Sequence, residues 1–274
     1  MCDIIGIGDI MKKSIFDVEI RLDFKKEFFK MLKYLHYAEN TTKCNRNYYT
    51  FIGAIDSYIY KYWPYRGTTL NCTEFLESIG ISKFFFAKPD CIDIDRFLYY
   101  IEFIYNIYEY AMYSGSICVD DENVKAVLEN IEIIAEKLNY KFVQQGDKFL
   151  LTKRDVNVDS VINKVDEDIA LLLLEYNDFK VKDNLKRKNE ILKSIDKYIE
   201  KNQSEYSNID KDSYKSFGYI LNNFGVNHKI NDKYKDITTD KLLKWYDKAF
   251  DLAIHLIRFA DVKKINKERK ELEK

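Results

Sequence analysis

The sequence predicts a mainly α-helical protein in two helical parts, with one β-hairpin at about 140–153. Three observations predict it. Apolar residues recur at intervals of three and four along most of the 274 residues. Only 9 Gly and 2 Pro occur, too few for the repeated tight turns of a sandwich or barrel. Alternation of period two is confined to one short region. With 46% hydrophobic residues, the chain is long and apolar enough to bury a sizeable core.

The elements follow in order. Gly6-Ile7-Gly8-Asp9 is a G-x-G fragment without the third glycine of a phosphate loop, and reads as a loose or edge-strand start. From Ser14 to about Asn40, Ile20, Phe24, Phe28, Met31, Leu32 and Leu35 fall on one helical face. Asn45 to Trp63 repeats that pattern until Pro64 stops it. A short helix from Thr73 to Ile79 closes at Gly80. The next helix starts near Asp90 or Asp93 and reaches about Tyr113, with Ile94, Leu98, Ile101, Tyr105 and Tyr108 on one stripe. Glu102, Asn106 and Glu109 make a second stripe. Such a stripe either lines a pocket or forms the solvent face, and the solvent face is the commoner outcome. Asp120-Asp121-Glu122 opens a further helix, its acids placed at the positive end of the dipole. Tyr140–Gln144 and Lys148–Lys153 then flank Gln145-Gly146-Asp147 as a hairpin.

Four helices are expected beyond the hairpin: Val158 to Tyr176, Asp183 to Lys201, Asp212 to Phe224, and a last one capped by Thr238 or Thr239. Short connections make these antiparallel neighbours in an up-and-down bundle. The charged stretch Lys263–Lys274 is expected to fray or to project into solvent. The parts are set at 1–116 (helical domain), 117–156 (helix plus hairpin connector) and 157–274 (bundle with charged tail).

Composition excludes several classes. A formal net charge of -1 provides no field selecting nucleic acid or membrane. Five widely spaced cysteines, Cys2, Cys44, Cys72, Cys91 and Cys118, contain no C-x-x-C pair, so free thiols are expected, with no metal site and no cofactor. The most hydrophobic segment, Phe97–Tyr113, is interrupted by polar residues and shorter than a span of ~20 apolar residues. A soluble, cytoplasmic protein is expected.

Chemistry is sought first among the three histidines. His36 and His255 lie within amphipathic helices and read as packing or face residues. His228 lies in the stretch Tyr219–Lys229, where a helix turns at Gly225 amid Asn222, Asn223 and Asn227. Such a loop either presents an imidazole to a ligand, with amides to orient it, or is a glycine-capped helix end. Asp90–Asp95 lacks the Gly-Ser turn of a magnesium site, and Asp120-Asp121, which follow Ser114-Gly115-Ser116, sit at a helix start; both read as helix-start acids. Lys43, Arg46, Tyr48, Tyr49, Lys61, Tyr62 and Arg66 interleave basic and aromatic side chains, the combination that single-stranded RNA requires.

Leu221-Asn222-Asn223-Phe224-Gly225-Val226-Asn227-His228 resembles the R-N-x-x-G-x-x-H motif of HEPN domains, of the C-terminal type found in abortive-infection proteins. Asn222, Gly225 and His228 match; Leu221 stands at the arginine position. The resemblance spans about residues 157–262. It implies an antiphage defence protein that binds or cleaves RNA as a homodimer, without metal, by a ribonuclease site shared between protomers. Carried over, His228 transfers protons and Asn222 supports it, while Lys229, Asn223 and Asn227 are the RNA-contacting candidates. Leucine cannot neutralise phosphate charge as arginine does. The alternative is a non-catalytic HEPN-like scaffold that recognises a protein, RNA or nucleotide.

Overall fold

A computed structural model of the chain describes residues 22–37, 41–44, 47–206 and 210–272. Gly6-Ile7-Gly8-Asp9, Cys2, Arg46 and the start of the first expected helix lie outside these residues. The described chain is mainly helical, as its periodicity predicts. Helix α1, Phe24–Leu35, begins where the Asp23 carboxylate accepts from Lys25 N and Lys26 N. It buries Phe28, Met31, Leu32 and Leu35.

The expected helix at 45–63 is shorter than its pattern. Strands β1 (Thr42–Cys44) and β2 (Asn47–Tyr49) form a second, small antiparallel hairpin that the sequence reading missed. Thr50 then caps a helical run by accepting from Gly53 N, so helix α2 starts at Phe51 (Phe51–Ala54). The run continues as π- and 3-10 turns to Tyr62 and ends with Trp63 extended before Pro64.

Helices α3 (Cys72–Ser78) and α4 (Lys83–Ala87) lead to the long α5, Ile94–Tyr113, capped by Asp93. Helix α6, Glu122–Lys137, is capped by Asp121. Both acidic runs are thus helix starts. Strands β3 (Tyr140–Gln145) and β4 (Lys148–Lys153) pair antiparallel, with Gly146 at φ +64° in the turn.

In place of the continuous helix expected over 158–176 there are two pieces, α7 (Val156–Asp159) and α8 (Glu167–Tyr176). A 3-10 turn and an extended, β-branched Val165 separate them. Helices α9 (Leu185–Lys201), α10 (Gln203–Tyr206), α11 (Lys211–Asn223) and α12 (Thr239–Leu272) complete the chain. The charged end does not fray within the described residues: α12 continues to Leu272 as an exposed extension. Lys, Glu and Arg are good helix formers, and extending an existing helix is cheap.

Two apolar cores result. One runs from Phe28 to Leu151 and includes Phe179; the other runs from Val158 to Ala260. In the second, α12 packs on α9 and α11, and Tyr176 stacks on Phe250 with ring centroids 3.9 Å apart. No helix among the described residues is long and apolar enough to cross a membrane.

His36 closes α1 against the first core, its Nε2 lying 2.9 Å from the Tyr100 hydroxyl and its ring against Phe86. Burial pushes its pKa down to about 4. The folded imidazole therefore stays neutral while an unfolded one takes up a proton below its ordinary value of 6.5. Its contribution is present above that value and lost as pH falls from 6.5 towards 4. The loss amounts to about 3 kcal/mol at most, because the residue is only half-buried. Urea midpoints measured across this range should fall more steeply for the wild type than for His36→Phe; parallel curves would count against the assignment.

Candidate functional site

Two places merit description, and the first is the Gly225 turn. Helix α11 starts at Asp210, whose carboxyl is held down at about 2 chiefly by hydrogen bonds from Ser213. It ends at Asn223, after which Gly225 takes φ +84°. A side chain at 225 would be strained there, and its Cβ would meet Ile230 Cγ1 at 3.0 Å. Neighbouring helices hold the turn: Asn189 Nδ2 donates to Gly225 O (2.7 Å) and Tyr246 OH donates to Phe224 O (3.0 Å).

The asparagines of the turn are mostly engaged in holding it. Asn223 Nδ2 donates to Tyr219 O (2.8 Å), and its Oδ1 accepts from Asn231 Nδ2 (3.0 Å). Asn227 Nδ2 donates to Asp196 Oδ2 (2.7 Å) and lies 3.5 Å from Asn222 Oδ1. His228 and Lys229 are exposed, and neither side chain forms a hydrogen bond or ion pair among the described residues. Leu221 is fully buried, packed in the second core with Phe217, Ile220 and Phe224. Since successive helical residues point about 100° apart, Asn222 faces outward where Leu221 faces in. The position that would carry the motif arginine points into the core.

The second place is a cleft of about 260 Å³ between α5, the β3–β4 hairpin and the segment from Trp63 to Ile79. Aromatic rings build its walls. Trp63 lies 5.1 Å from Phe75 and 5.7 Å from Phe103, and Phe75 stacks on Phe103 at 5.0 Å. Tyr65, Tyr99 and Phe149 complete the enclosure. Tyr65 OH donates to Asp147, and Lys148 Nζ sits 6.0 Å from the Tyr65 ring.

Glu102 and Asn106 project into this cleft, so the expectation of a solvent face for their stripe is corrected. The reason is the outer edge of β4, whose backbone groups need partners. Phe149 N donates to Asn106 Oδ1 (2.8 Å), and Asn106 Nδ2 donates back to Phe149 O (2.8 Å). Leu151 N donates to Glu102 Oε1 (3.2 Å), and Lys153 N to Asn177 O (2.9 Å). Two side chains of α5 thus cover a strand edge that would otherwise stand open.

The same Oε1 accepts from Lys180 Nζ (2.8 Å), which also lies 3.3 Å from Asp178 Oδ2. Glu102 is only 8% exposed. Burial raises its pKa against the opposing pull of Lys180, and burial raises that of Asp178 likewise. Burial acts to lower the Lys180 pKa, but the two carboxylates outweigh it and hold the ammonium above its usual value. The triad therefore sets two carboxyl groups around one ammonium beneath aromatic walls.

Tyr48 and Tyr62 are exposed, with Lys61 over Tyr62, whereas Tyr49 bonds Tyr58 and Arg66 donates to the backbone of Lys61 and Thr69. Lys180, Lys148 and Trp63 went unnoticed as site residues. The only signal was the four-residue spacing of Glu102 and Asn106, compatible with a pocket. Set against known proteins, the chain matches no family model, no curated protein and no solved structure.

Proposed function

We propose that this protein is a non-catalytic binding protein that recognises RNA or a nucleotide, with the aromatic cleft as its ligand site. The observation that carries the reading is the cleft itself: rings for stacking, Lys148 for phosphate, and a buried carboxylate to orient what enters. The antiphage setting, of the abortive-infection kind, rests on the resemblance of Asn222, Gly225 and His228 to the HEPN motif. Burial of Leu221 favours binding over chemistry, because an exposed imidazole without a neighbouring arginine cannot offset the charge of a phosphate transition state.

A second reading remains, a metal-independent ribonuclease completed by a second copy of the chain. The exposed His228, whose side chain has no partner among the described residues, favours it. One experiment separates the two. Labelled single-stranded RNA incubated without metal should be bound and left intact by the wild type and by His228→Ala alike. Tyr65→Ala should weaken binding by about tenfold, the loss of roughly one stacked base. Cleavage by the wild type that disappears in His228→Ala would establish the ribonuclease and overturn the binding reading.

A further inference from the structure

The hydrogen-bond inventory of the cleft narrows what can enter it. Asn106 has little to offer a ligand: its amide donates to Phe149 O and Glu102 O, and its oxygen accepts from Phe149 N. Glu102 Oε1 is occupied by Leu151 N and Lys180 Nζ. Glu102 Oε2 accepts from nothing among the described residues, yet the residue lines the cleft and is more than nine-tenths buried. A carboxylate oxygen accepts only, so the ligand must bring an N–H or O–H donor to it.

The walls and rim add two further conditions. Trp63, Phe75, Phe103 and Tyr65 favour a planar ring. A volume of about 260 Å³ falls just below the ~300–1,000 Å³ of pockets for drug-sized ligands. It has room for one ring system, with any substituent left outside. Lys148 lines the cleft and forms no ion pair among the described residues, so a cation stands available to an anionic group on that substituent.

We infer that the cleft holds the base of a phosphorylated nucleotide bearing an exocyclic amino group (adenine, cytosine or guanine), free or within RNA. The amino group donates to Glu102 Oε2, the ring stacks on the aromatic wall, and Lys148 meets the phosphate. Uracil has no exocyclic amine, and its one ring donor on the pairing edge, N3–H, lies between two carbonyl oxygens that the carboxylate repels. The inference rests on the reading of the cleft as the ligand site and adds its selectivity.

The chain has two tryptophans, Trp63 in the cleft and Trp245 stacked on Phe224. Trp245→Phe therefore leaves Trp63 as a fluorescent reporter. Quenching by AMP, CMP, GMP and UMP, and by short adenine and uracil oligonucleotides, is titrated at low salt. Amino-bearing ligands should bind about tenfold tighter than their uracil counterparts, the scale of one charge-assisted hydrogen bond. Quenching by mononucleotides identifies a free nucleotide; quenching by oligonucleotides alone identifies RNA. Glu102→Gln, which can both donate and accept, should reduce the preference to less than about threefold. Lys148→Ala should weaken all ligands alike, leaving the preference unchanged. Equal binding of the uracil ligands, or a preference that survives Glu102→Gln, overturns the inference while the cleft remains a ligand site. No quenching by any of them overturns both.

Discussion

Placing arginine at position 221, Leu221→Arg, will unfold the second core and will not create a nuclease. Leu221 is fully buried in the second core with Phe217, Ile220 and Phe224, on a helix that packs against α12. A guanidinium there loses its water among apolar neighbours and replaces a well-packed side chain. Burial of an unpaired charge costs several kcal/mol, and overpacking adds about 1–3 kcal/mol. The sum is comparable to the whole stability of a typical domain, roughly 5–15 kcal/mol. Urea unfolding followed by far-ultraviolet circular dichroism should show loss of the cooperative transition. Leu221→Met, which conserves volume, should shift stability by less than about 1.5 kcal/mol. A folded Leu221→Arg protein that cleaves RNA without metal would mean that α11 can turn this position outward, and would revive the catalytic reading.

Lys180→Met is the second large effect. It leaves Glu102 and Asp178 facing one another without their cation, beneath the aromatic walls and behind β4. Breaking a buried pair from one side costs ~3–5 kcal/mol. The lower end applies because the Lys180 side chain keeps 32% of its surface open. The sign of the pH dependence identifies the cause. Burial already raises both carboxyl pKa values in the folded state, and removing the ammonium raises them further. A carboxyl raised on folding contributes its stability below the unfolded value and loses it as pH rises through the folded value. The deficit of Lys180→Met should therefore be large at about pH 7.5 and shrink towards about pH 5. Adding Glu102→Gln should recover part of it at neutral pH. A deficit that is equal at both pH values, and unrelieved by Glu102→Gln, would show that lost packing rather than charge is responsible.

Both effects concern residues whose direction, rather than identity, decides their role. What is local in this protein could be read from the chain. Asp93 and Asp121 cap the helices they precede, Gly146 makes the hairpin turn and Gly225 ends α11, because each acts on backbone within a few residues of itself. The apolar stripes of α9, α11 and α12 were legible for the same reason: helical period places them on one face whatever lies opposite. Apolar spacing alone overextended two helices, at 45–63 and 158–176, because it does not register where the Thr50 cap or an extended Val165 interrupts a favourable face.

The candidate cleft belongs to tertiary structure. Glu102 meets Leu151 across 49 residues of sequence and Lys180 across 78. A polar stripe looks the same on paper whether it faces water or the unpaired edge of a strand, and only the packing of the hairpin on α5 decides between them. Lys180 carried no signal at all, since a lysine in a loop becomes a buried ion-pair partner only when a distant carboxylate is brought to it. The same holds for Leu221. Its neighbours in sequence suggest a motif, but burial in the second core, where α11 meets α12, makes it a core residue, and that burial decides which chemistry His228 has at hand.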